Sequence, residues 1–109
     1  MINFTTILKD QDGLPLKDVM TMQANGGVDV ALTLGRAASH SLNIQTQDED
    51  LSGEDKFHRG MLAFKVRDAE CSLKAEDIVL IKKQIAKLYS PAVVYVSYLL
   101  LDGAENESR

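Results

Sequence analysis

There is no second cysteine. Cys71 stands alone in 109 residues, so no internal disulfide forms and no CxxC-type zinc site can be built. No basic segment followed by an apolar run opens the chain, and "MINFTTILKDQDG" does not read as a secretory signal. The longest apolar run, "PAVVYVSYLLL" (91–101), is about half of the roughly 20 residues a spanning helix needs. Positive charge is short as well: 12 Lys and Arg stand against 16 Asp and Glu, a net charge of −4. That balance gives no long-range pull toward nucleic acid or an anionic membrane. The glycines form neither GxGxxG nor a P-loop, and neither histidine sits in an HExxH or Ser–His–Asp pattern. Internal repeats, low-complexity tracts and linkers are absent.

What is present has the composition of one globular domain. Hydrophobic residues make up 45% and charged residues 26%, enough apolar material for a single core at this length. The first third carries β signals. Asn3–Leu8 and Leu16–Met22 read as short strands around the Asp12-Gly13 turn, with Pro15 confining the second of them to an edge. "QANGG" (23–27) reads as a loop. Thr33 is a candidate N-cap for a first helix with Leu34, Ala37, Ala38, Ser41 and Leu42 along one face.

"DEDLSGEDKFHR" (48–59) poses the one sharp chemical question. Asp48, Asp50, Ser52 and Gly53 match the opening of an EF-hand calcium loop, but the twelfth place, which needs a bidentate carboxylate, is Arg59. A helix start accounts for the same letters better. Ser52 caps, Glu54 and Asp55 suit the positive end of the dipole, and Asp55 with Arg59 forms an i,i+4 pair. Phe57, Met61 and Phe64, with Leu62 as a further candidate, recur at the spacing of one helical face; the first three read as core, and Gly60 weakens that helix by about 1 kcal/mol relative to Ala.

After a break at "RDAECS", Ser72 is a candidate cap for "LKAEDIVLIKKQIAKLYS". There Ile78, Ile81, Ile85 and Leu88 define an apolar stripe, with Lys74, Lys82, Lys83 and Lys87 on the polar side. Pro91 marks a new start. Residues 91–101 read either as a buried helix or as a buried strand, and 102–109 as a flexible acidic tail. The expected fold is α+β, mainly α: an N-terminal β-hairpin followed by three or four packed helices in one domain, 1–101. Its expected core comprises Phe57, Met61, Phe64, Ile78, Ile81, Ile85, Leu88, Val93, Val96 and Leu100. His40 and His58 read as surface or satisfied residues, and Cys71 as a small buried hydrophobe.

"LTLGRAASHSL", "LSGEDKFHRGMLAFKV" and "LKAEDIVLIKKQIAKLYSPAVV", in that order, resemble a group of small proteins encoded by tailed bacteriophages and prophages. The resemblance implies provenance, with the cytoplasm of a bacterial host as the place of action, and brings no catalytic or binding residues. Taken together the residues imply a non-enzymatic accessory protein, without cofactor or metal, that binds itself or another protein as an assembly helper or a modulator of host machinery. Val94, Tyr98 and Leu101 are the positions expected to lie outside the monomer's core and to form a homo-oligomer interface. The alternative is a small DNA-binding regulator using the face of Lys74, Lys82, Lys83 and Lys87, which lacks the Arg and aromatic residues that read or stack bases.

Overall fold

The N-terminal segment folds back on itself before any regular strand can lengthen. Asn3 Oδ1 accepts from the Thr5 N–H at 3.0 Å, and the Thr6 N–H reaches the Asn3 carbonyl at 3.3 Å. This side-chain turn ends the strand at Asn3, so the strand expected over Asn3–Leu8 does not extend beyond its first residue. The structure, a computed structural model, describes residues 2–18, 30–47, 49–67 and 70–107. Its sheet pairs β1 (Ile2–Asn3) antiparallel with β2 (Glu70–Cys71), Ile2 opposite Cys71. Hairpin geometry survives locally. Asp10 Oδ1 accepts from the Asp12 and Leu14 amides, Gly13 takes the left-handed φ of 79° that the turn requires, and Lys9 bridges to Pro15. Farther on, Leu8, Leu16 and Leu32 exchange backbone hydrogen bonds in a ring: Leu8 to Leu32 at 2.9 Å, Leu16 to Leu8 at 2.8 Å, and Leu32 to Leu16 at 2.7 Å. The remainder of the second expected strand, 19–22, and the "QANGG" loop lie outside the described residues.

Four helices follow: α1 (Leu34–Asn43), α2 (Gly53–Val66), α3 (Ala75–Leu88) and α4 (Pro91–Glu107). The start of α1 is fixed from two sides. Thr33 Oγ1 accepts from the Arg36 amide at 3.1 Å, and the Leu34 and Gly35 amides donate to the carbonyls of Thr6 and Phe4. Three donors that a helix leaves orphaned are thus satisfied by the cap and by the N-terminal segment. Leu34, Ala37, Ala38, Ser41 and Leu42 are all buried, as their spacing implies. α1 packs against both α2 and α3, while α4 packs on α3 and reaches β1.

Helix α3 begins later than the sequence signals. Ser72 does not cap it; Lys74 occupies the N-cap position with no side-chain bond. The physical reason is the long-range pairing of Glu70–Cys71 with β1, which leads into non-helical chain over 72–74. Ile78, Ile81 and Ile85 are buried, and Leu88 is half-buried.

Residues 91–101 are helical, and the helix continues to Glu107. Val93, Ser97 and Leu101 face inward and Tyr95 and Leu99 outward. A clamp holds α4 on α3: the Tyr98 hydroxyl donates to the Lys82 carbonyl at 3.0 Å, and Lys82 Nζ, 4.7 Å from the Tyr98 ring centre, donates to Asp102 Oδ1 at 2.6 Å. Leu101, expected outside the core, is fully buried in it, while Val94 is partly buried against it and Tyr98 is half-buried. Among the described residues, no helix is long and apolar enough to cross a membrane.

The tightest approach in the fold is at Gly35. A Cβ built there would lie 1.9 Å from the Arg67 carbonyl oxygen and 2.6 Å from that of Val66. Both obstacles are backbone, so no side chain can move aside. Gly35→Ala should therefore cost at least about 3 kcal/mol, at or beyond the upper range for overpacking a core. Urea unfolding measures it, and a midpoint equal to wild type would show that the two helix ends do not meet there.

Candidate functional site

Helix α2 opens as its sequence predicts. Ser52 Oγ accepts from the Asp55 amide at 3.1 Å and Asp55 Oδ2 from the Ser52 amide at 3.4 Å, a reciprocal capping box. Asp55 is thereby occupied at the cap. Arg59 does not pair with it as expected, but turns inward, 9% exposed, onto Glu49. The Glu49 carboxylate also accepts from the Thr46 amide and hydroxyl at 3.1 and 3.0 Å and from Gln84 Nε2 at 3.4 Å, with Lys87 Nζ 3.8 Å away. Asp48, the first position of the calcium-like pattern, lies outside the described residues.

The direction of Arg59 decides the rest of the helix. Successive residues turn by about 100°. With Arg59, Leu62, Ala63 and Val66 on the buried side, Phe57, Met61 and Phe64 fall on the opposite side within about 60° of one another. They are accordingly exposed, by 74%, 53% and 89%. Spacing alone assigns these three residues to the core, and the structure reverses that assignment. The helix carries two apolar stripes. The smaller side chains of Leu62, Ala63 and Val66 fit the close packing against α1, while the larger ones stand in solvent. Glu54 and Lys65 flank the outer stripe on one side. Such a cluster is comparable to the largest apolar patch of an ordinary monomer, which is often functional.

The titratable residues singled out in the sequence do not gather at one place. His40 Nε2 lies 3.7 Å from Asp18 Oδ2, a carboxylate that is 1% exposed and that also lies 3.6 Å from Arg36. His58 Nε2 meets Asp77 Oδ1 at 3.0 Å, tying α2 to the first turn of α3 at the surface. Cys71 is half-buried in β2, and burial pushes its thiol up, with Lys65 acting in the opposite direction. Burial, helped by Asp18, raises the Tyr89 hydroxyl too, and that buried hydroxyl has no hydrogen-bond partner among the described residues. An open depression of about 440 Å³ lined by Leu16, Leu32, Leu88, Tyr89 and Val93 is mostly apolar. No protein-family model matches the chain, and neither a curated protein nor a solved structure shows a significant match to it.

The two faces of α2 should respond oppositely to substitution. Phe64→Asp should change monomer stability by no more than about 0.5 kcal/mol, whereas Leu62→Ala should cost about 2–5 kcal/mol. Urea denaturation at low protein concentration separates them, and equal losses would contradict the orientation of the helix.

Acid should act through Glu49. The Arg59 guanidinium, together with the Thr46 donors and against the effect of burial, holds the Glu49 carboxyl at about 2 instead of 4.5. A depressed carboxyl contributes stability above its unfolded pKa and loses it as pH falls through the folded value. The contribution, about 2 kcal/mol after allowance for solvent screening, should therefore fade between pH 4.5 and about 2. Glu49→Gln should lower stability at neutral pH and flatten that part of the stability–pH curve. A curve with its slope unchanged would remove Glu49 from the account.

Proposed function

We propose that the chain is a non-enzymatic interaction protein that docks the outer face of α2 on an apolar surface of another protein molecule. One observation carries this: two phenyl rings and a thioether stand in solvent on a helix whose other face is fully anchored. Burying each ring would gain roughly 1.5–3 kcal/mol relative to leaving it in water. A partner that covered the stripe would gain most of its binding free energy there, and the polar flanks would set orientation. The role belongs with the phage or prophage provenance that the sequence resemblance implies, as an assembly helper or modulator acting in the bacterial cytoplasm.

The lysine face supports the alternative DNA-binding role less well. Lys82 is engaged by Asp102 and Lys87 lies beside Glu49, so two of its four positive charges are already opposed by carboxylates. Phosphate contacts need them available.

A photo-cross-linking amino acid placed at position 64 in bacterial cells tests the docking face, with position 83 on the lysine side as the control. Discrete protein adducts should form from position 64 and not from 83. Absence of adducts, or the same adducts from both positions, would overturn the proposal.

A further inference from the structure

We infer that the occupant of this face is a second copy of the chain, its α2 laid antiparallel against the first about a two-fold axis beside Met61. This rests on the docking role just proposed and names its partner. Register supports it. In an antiparallel pair centred between positions 60 and 61, Phe57 of one copy lies level with Phe64 of the other, and Met61 meets its own symmetry mate at the axis. Gly60 lies beside the axis on the other side of the stripe, where a built Cβ finds nothing within 4 Å, and it adds no side chain of its own to the contact. An isologous contact requires this kind of self-complementarity.

Charge obeys the same symmetry. A two-fold across the stripe keeps each flank of one helix beside the same flank of the other. Glu54 and Lys65 share a flank, within about 20° of each other around the helix, and Glu54 lies within about 3 Å, along the axis, of the level of the other copy's Lys65. Two opposite-charge pairs result, one at each end of the contact. The other flank carries two cations, Lys56 and Arg67, which lie farther round from the stripe.

Area is consistent with an apolar centre of an interface. With Phe57 74%, Met61 53% and Phe64 89% exposed, the stripe offers on the order of 400 Å² per copy, about half of what a standard interface buries on each side. The flanks supply the rim. The next exposed apolar pair, Tyr95 and Leu99 on α4, has two members and no such register.

Sedimentation equilibrium from low micromolar to near-millimolar protein tests the inference, with circular dichroism confirming that each variant is folded. Wild type should form a dimer and Phe64→Asp should remain monomeric over the same range. Glu54→Lys should weaken the dimer by about tenfold, and Glu54→Lys with Lys65→Glu should restore it to within about threefold. Met61→Cys in a Cys71→Ala background should give a covalent dimer on mild oxidation. A wild type that stays monomeric, a dimer indifferent to Phe64→Asp, or no Met61→Cys cross-link overturns the second-copy assignment. A monomer that still gives adducts from position 64 with a host protein leaves the docking role standing with a different partner. A monomer with no such adducts sinks both.

Discussion

The side of α2 that faces solvent is decided where Arg59 meets Glu49. A guanidinium turned into a protein interior costs several kcal/mol of hydration, and the cost is offset only where a carboxylate and further hydrogen bonds receive it. Glu49 receives Arg59 Nη2 as part of a small network, in which Thr46 fixes one carboxylate oxygen with two donors and Gln84 of α3 approaches the other, while the buried Arg59 Nη1 has no partner among the described residues. The pair therefore ties the segment before α2 to α2 itself and, through Gln84 and Lys87, to α3. Because a helix is rigid about its axis, turning Arg59 inward places Phe57, Met61 and Phe64 outward. The exposed stripe is a geometric consequence of a buried ion pair.

Gly35 adds the second constraint. Its missing side chain lets the first turn of α1 come against the last carbonyls of α2, while its amide is held by the Phe4 carbonyl. Three parts of the chain meet at that point: the N-terminal segment, α1 and the end of α2. Packing this close suits small residues, and Ala37, Ala38 and Ala63 are all buried. Leu62 and Val66 supply the larger share of apolar area on the inner face of α2. The rings of Phe57 and Phe64 would be too bulky for an approach this tight, which gives a steric reason for their orientation beside the electrostatic one.

How much of this was legible in the sequence depends on how many faces each helix offers to burial. α1 and α3 each have one apolar stripe, so Leu34, Ala37 and Leu42, and Ile78, Ile81 and Ile85, could be read directly from period and spacing. The Thr33 and Ser52 caps were legible because capping is local chemistry within three residues. α2 is easily misread because it has two stripes, and size favours the wrong one. The signal that separates them is Arg59, whose partner lies ten residues back in a connector and not at i,i+4. Ser72 fails as a cap for a similar reason: pairing of Ile2 with Cys71 is a contact across most of the chain. α4 is apolar on nearly every side, so period alone does not show that Leu101 faces in while Tyr95 and Leu99 face out.

The histidines bear on whether chemistry or contact is the better account. Catalysis needs an acid–base group, a group that orients it and a place for a reacting atom within reach of both. His58 has a carboxylate at 3.0 Å, but the pair is a surface tie between two helices, and Asp77 sits in the first turn of α3, where its charge already suits the dipole. His40 and Arg36 both approach the buried Asp18; the Arg36 guanidinium brings positive charge to a carboxylate that the fold has enclosed, which is what burial of that charge demands. These two histidine clusters thus each have a structural task. The apolar stripe of α2 has none among the described residues: Phe57, Met61 and Phe64 contribute little to the core, and leaving them in water carries a cost in free energy.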